Sequence, residues 1–171
     1  MRKEMIEHTY YQFDELSDKA KDVARDWFRN GYGMESWWEC MYEDAANVGL
    51  KILSFDDYKC EAKFMASAEE TAHKIEKEHG ESCETFKDAK EYLTARDNVI
   101  DVWEKDENGE FVNQDRLDIS LDALDSNFLL ALQEDYRIML NKEYEYLMSN
   151  ESVDENIKCN EYEFSENGRR A

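Results

Sequence analysis

The chain has no proline and only six glycines in 171 residues. With so few chain breakers a loop-rich β-sandwich is disfavoured, and long uninterrupted helices are expected. No segment approaches the ~18 apolar residues of a membrane span, so no contact with a membrane is expected. CxxC spacing is also missing from the four cysteines, Cys40, Cys60, Cys83 and Cys159. The residues from Met1 to His8 are charged and lack the apolar run of a secretory signal. A cytoplasmic protein with reduced thiols is therefore expected, not a disulfide framework. There is no G-x-S-x-G, no G-x-G-x-x-G and no glycine-rich phosphate loop. Without such motifs, no catalytic residue or cofactor is assigned and the chain is read as not an enzyme. A carboxylate pair for acid–base work cannot be singled out among 42 acidic residues until a shared pocket is seen.

Positive charge is the other scarcity. Lys and Arg number 21 against 42 Asp and Glu, a net charge of −21. Proteins that hold nucleic acid or anionic membranes neutralise phosphates with Lys and Arg, so direct binding to either is not expected. Two readings remain. The charge can serve solubility alone, or the acidic surface can dock into a basic groove that ordinarily holds nucleic acid.

What the chain does contain is enough apolar material to fold. Apolar residues make up 42% and aromatics 13%, with four Trp and ten Tyr. That argues against disorder and for one domain over residues 1–171. The expected fold class is α+β, a mainly helical single domain packed on a small antiparallel β-sheet. A short strand is read at Thr9 to Phe13. Ser17 caps a helix with Ala20, Val23, Ala24, Trp27 and Phe28 on one face, ended by Asn30-Gly31 and Gly33. Ser36 and Glu39 read as a capping box for a helix bearing Trp38, Met41, Tyr42 and Ala45. The period then changes to alternation on both sides of Asp56-Asp57, which predicts a hairpin. Ser67 and Glu70 form a second capping box. A helix from about Thr85 carries Phe86, Ala89, Leu93, Ile100 and Trp103. The longest helical pattern runs from Leu117 to Leu147, with a break expected at Ser126. Ser152 and Glu155 cap one last helix, Tyr162 to Phe164 is expected to join the hairpin, and Arg169-Arg170 to be a frayed tail.

The acidic residues are unevenly spread. Residues 97–125 carry 10 acidic and 2 basic groups, net −8, whereas residues 1–35 are net −2. Asp97, Asp101 and Glu104 fall at i, i+4, i+7, and Asp115, Asp118, Asp122 and Asp125 at i, i+3, i+7, i+10. Each set forms a row on a helix face, with a carboxylate roughly every 5 Å at ~1.5 Å rise per residue. Such rows are either a solvated helix face or a partner-binding face. Trp37, next to core-facing Trp38, is a further candidate contact, either exposed or at the core margin.

Glu104 to Asp115 partly matches a calcium loop. Asp106, Asn108 and Gly109 fill positions 3, 5 and 6, but Glu104 stands at position 1 and the shorter Asp115 at position 12. An acidic Asn-Gly turn explains the same residues. His73, His79 and Cys83 lack zinc-ligand spacing. No metal ligand is assigned.

Several segments carry a resemblance: Tyr11-Gln12-Phe13-Asp14-Glu15-Leu16-Ser17, Trp37-Trp38 with Tyr42-Glu43-Asp44-Ala45, and Gly49-Leu50-Lys51-Ile52. Leu132 to Tyr136, Glu143 to Leu147 and Asn160 to Phe164 extend it over nearly the whole chain. With these segments the chain resembles small acidic bacteriophage and prophage proteins, and among them anti-CRISPR proteins acting on a type II RNA-guided nuclease. The resemblance implies an inhibitor in an infected bacterial host that binds a host defence nuclease, or another basic nucleic-acid-binding protein, as a DNA mimic. An antitoxin-like protein neutralising a basic toxin, and a weak calcium-binding protein, stand as alternatives. A homodimer through exposed aromatic residues is left open.

Overall fold

The computed structural model describes residues 9–31 and 35–171. The lead-in at residues 1–8 and the helix stop expected at Gly33 lie outside the described residues. In chain order the elements are β1 (Tyr11–Gln12), a 3₁₀ turn (Phe13–Glu15), α1 (Asp18–Gly31), α2 (Glu39–Asn47), β2 (Leu50–Phe55) and β3 (Cys60–Phe64). They continue with α3 (Ala68–Glu78), α4 (Glu84–Val102), α5 (Gln114–Met148), α6 (Asn150–Cys159) and β4 (Glu163–Phe164). The fold is α+β and mainly helical, with two small antiparallel sheets. Among the described residues no helix is long and apolar enough to cross a membrane. Contacts divide the chain into two compact units, one made of the chain up to Trp37 with Lys142–Ala171, the other of Trp38–Asn141.

The first unit is assembled from both ends of the sequence. Its core is Phe13, Leu16, Ala20, Ala24, Phe28, Val153, Ile157 and Phe164. Ala20, Ala24 and Phe28 recur at i, i+4, i+8 and so bury one stripe of α1, whereas Val23 stays exposed. Arg25 clamps α1 to α6 with a two-pronged contact to Asp154, Nε to Oδ1 and Nη2 to Oδ2, both 2.7 Å. β4 pairs with β1 (Tyr11 opposite Phe164), not with the β2–β3 hairpin, which corrects the expected sheet. The tail is also ordered, contrary to a frayed end. Ala171 N–H donates to Glu163 O at 3.0 Å, and the Arg170 guanidinium lies 4.9 Å from the Tyr162 ring centre.

α6 starts earlier than the sequence suggests. Ser149 is its cap, accepting from Ser152 N–H at 3.2 Å, and Ser152 is buried in the first turn. Ser149→Ala is therefore expected to lower stability by about 1 kcal/mol, read as a shift of the urea midpoint at unchanged slope. A midpoint equal to that of the unsubstituted protein would show the cap to be idle.

The second unit places the β2–β3 hairpin, α2, α3 and α4 around α5. Its core includes Ala45, Leu50, Ile52, Ala62, Ile75, Ala89, Tyr92, Phe128, Leu132 and Tyr136. The hairpin pairs Leu50 with Phe64 and Ile52 with Ala62, then shifts register between Ile52 and Ser54, which turns Leu53 outward. Asp56 makes the turn by accepting from the N–H groups of Tyr58 and Lys59, each at 2.8 Å. The Ser67 cap on Glu70 N–H is present at 3.1 Å. The Ser36–Glu39 box is not. Ser36 has φ +59°, a left-handed conformation incompatible with the extended cap geometry, and α2 begins at Glu39 without a side-chain cap.

α5 is unbroken over 35 residues, so Ser126 does not interrupt it. Serine costs only a few tenths of a kcal/mol in a helix interior, roughly, and this one is exposed. α4 runs antiparallel to it: Asp88 meets Asp135, while Tyr92, one turn later, stacks on Phe128 and donates its hydroxyl to Asp125 at 2.6 Å.

Candidate functional site

The exposed carboxylates lie on the second half of α4, the connection after it, and the first third of α5, all within the second unit. α4 stops at Val102. Trp103 turns the chain and donates from Nε1 to the Val112 carbonyl at 2.7 Å, closing the base of the connection. Inside it, Lys105 and Phe111 form an isolated antiparallel bridge, with the Lys105 ammonium 4.9 Å from the Phe111 ring centre.

This geometry shortens the first acidic row. Asp97 and Asp101 are exposed on α4, but Glu104 lies beyond the helix end, so the expected three-residue helical row has two members. In the second row Asp115, Asp118 and Asp122 are exposed on α5, and Asp118 accepts from the Gln114 side-chain amide at 2.8 Å. Asp115 stands in the first turn, where a negative charge complements the exposed N–H groups of the helix end. Asp125 is half-buried and committed to Tyr92. At about 100° per residue, Asp125 falls ~80° from the buried Leu117 stripe, whereas Asp115 and Asp122 fall roughly 140–160° away. The row drifts towards the core and its last member becomes an internal hydrogen-bond acceptor. Burial, and then the bond to Asp125, push the Tyr92 hydroxyl well above the usual tyrosine range.

Trp37 belongs to the first unit, half-buried, with its ring centre 5.5 Å from that of Tyr144. Two apolar side chains that the charge pattern hid do stand on the second unit's surface. Val102 is 82% exposed and Ile119 68%. Ile119 is four residues from Asp115 and three from Asp122, about 200° from the Leu117 stripe. The same helical projection would have found it in the sequence.

The residues of the calcium-like loop are used locally. One oxygen of Asp106 accepts from the N–H groups of Asn108 (2.8 Å) and Glu110 (2.9 Å), and Gly109 takes φ +82° at the tip. Among the described residues no group of three or more His, Cys, Asp or Glu side chains is placed to hold a metal ion. His79 has Nδ1 2.7 Å from the Thr85 hydroxyl and Nε2 3.5 Å from Asp44. With Tyr136 as a further donor, His79 holds the Asp44 carboxyl below its usual range despite partial burial. All four cysteines are free thiols, and burial pushes that of Cys60 up to about 11.

A groove of about 260 Å³ runs between α4 and α5, lined by Asp88, Glu91, Tyr92, Leu124 and Phe128 among others. Its carboxylates and aromatic walls carry no nucleophile–base pair. What the second unit presents chemically is thus a field of exposed carboxylates with isolated apolar side chains among them. Searches against family models, curated proteins and solved structures give no match for this chain.

Proposed function

We propose that the chain is a non-enzymatic inhibitor that docks onto the Lys/Arg groove of a nucleic-acid-handling defence protein, with a type II RNA-guided nuclease as the leading target. This reading places it among phage counter-defence proteins of the anti-CRISPR kind. One observation carries it: Asp97, Asp101, Asp115, Asp118 and Asp122 are all exposed in a chain of net charge −21, on two helices of one unit. Carboxylates spaced along a rigid helix can occupy positions that phosphates fill in the target's groove. Ile119 and Val102 supply apolar contact amid the charge.

The test is a panel of guide-loaded type II effectors, with target-DNA binding and cleavage as readout. Inhibition of at least one effector is expected, weakening between low and moderate salt. The triple reversal Asp115→Lys, Asp118→Lys, Asp122→Lys is expected to weaken it by about tenfold or more, since each rim charge is worth ~0.2–1 kcal/mol and reversal doubles the change. Inhibition untouched by both salt and reversal would remove the acidic face from the mechanism. No inhibition of any effector would overturn the reading.

A further inference from the structure

The α4–α5 contact joins like charges at one end. Asp88 and Asp135 meet carboxyl to carboxyl across the two helices. Oδ2 of Asp135 is buried and has no hydrogen-bond partner among the described residues. An ionised carboxylate only accepts, so two ionised carboxyls cannot hydrogen-bond to each other. A single proton held between them lets one carboxyl donate to the other.

The surroundings favour keeping that proton. On α4, Glu84 and Glu91 stand one turn before and after Asp88, and Glu134 precedes Asp135 on α5. Lys87 is a nearby cation, but its ammonium is held by Glu84 at 2.6 Å. On the core side, Tyr136 gives its hydroxyl to Asp44 of α2 at 2.8 Å, and His79, at the end of α3, also faces Asp44. Neither offers a donor to Asp135.

We propose that Asp88 and Asp135 form a proton-sharing clasp between α4 and α5, and that loss of the shared proton loosens the two helices that carry the exposed carboxylate rows. The clasp is independent of the identity of any partner. Burial, then repulsion from Asp88, pushes the Asp135 carboxyl up to about 7, and burial also raises Asp88. In the unfolded chain both ionise near the ordinary value of about 4. Between those limits the folded state binds more protons than the unfolded one. The clasp's contribution is complete below about pH 4 and is lost as pH rises through about 7.

The experiment is urea unfolding of the full chain from pH 5 to 8. The unsubstituted protein is expected to lose stability between pH 5 and 7, and then to level off. Asp135→Asn is expected to flatten that slope and to be the more stable form at pH 8, because an amide can donate to the Asp88 carboxylate. Asp122→Asn removes one exposed charge and is expected to keep the original slope, which separates the clasp from general charge repulsion. Amide exchange of α4, corrected for intrinsic rates, is expected to lose up to about tenfold protection per pH unit from 5 to 7, the factor for one proton. Should Asp135→Asn not fold, a carboxyl-carbon NMR titration of the unsubstituted protein decides. An Asp135 midpoint near 7 supports the clasp. An ordinary midpoint, a slope unchanged in Asp135→Asn, or α4 protection independent of pH overturns it.

Discussion

Gly168→Ala is expected to destabilise the protein by about 3 kcal/mol, far more than a glycine near the end of a chain would suggest. Two costs combine. Gly168 has φ +83°, where an alanine costs ~1–2 kcal/mol. A Cβ at this position would also lie 2.0 Å from the Ala20 carbonyl oxygen and 2.8 Å from its carbon. Those are backbone atoms of α1, not the end of a flexible side chain, so relief requires the tail or the helix to move. α1 resists because Arg25 is fixed on Asp154 at both prongs, while the tail is anchored to β4 by Ala171 N–H to Glu163 O at 3.0 Å and Arg170 Nη1 to the same oxygen at 2.8 Å. Urea unfolding gives the magnitude, and amide exchange should place the largest loss of protection in α1 and α6. Gly80→Ala is the control, with no atom within 4 Å of its added Cβ and no positive φ. Equal stability of the two variants would show that the tail does not pack on α1 as described.

Much of the fold was legible where a single local rule decided it. The alternation around Asp56-Asp57 became β2 and β3, the Ser67 cap is present, and the apolar period from Leu117 onward became α5. Other features depended on which of two similar residues the tertiary structure used. Ser149 and Ser152 are both competent caps, and burial of Ser152 beside Val153 left the role to Ser149. The pairing of β4 with β1 joins residues more than 150 positions apart, and two-residue strands carry no period to reveal it. The same distance hides the first compact unit. It is built from both chain ends, so no proline- or glycine-rich linker marks its edge.

For the acidic surface, position on the helix was legible and local chemistry was not. The spacing placed Asp115, Asp118 and Asp122 outward. It could not show Asp125 turning to a tyrosine of another helix, nor α4 ending two residues before Glu104. The sequence reads Trp37 as exposed or at the core margin, and its position against Tyr144 is half-buried. Asp88 and Asp135 were invisible for the reason that 42 carboxylates offer too many pairs. Only the antiparallel contact of α4 and α5 selects that one.

That contact turns on Phe128, and Phe128→Ala is expected to cost about 3–4 kcal/mol. The ring stacks on Tyr92 with centres 4.5 Å apart and planes 13° from parallel, and on Phe64 of β3 at 5.9 Å and 24°. It therefore joins α4, α5 and the hairpin in one layer, so truncation removes both aromatic contacts together with the buried area. The Phe128 site lines the α4–α5 groove, so the space vacated opens towards solvent rather than forming a sealed void. Water can enter there, which keeps the cost below the ~5 kcal/mol reached at closed sites. Phe128→Leu retains most of the volume and loses only the stacking, so about 1–1.5 kcal/mol is expected. Urea midpoints rank the two variants, and near-ultraviolet circular dichroism reports whether Tyr92 loses its fixed environment. A Phe128→Ala cost below ~1 kcal/mol would mean that the packing of Leu132 and Tyr136 further along α5, both fully buried, holds the layer without it.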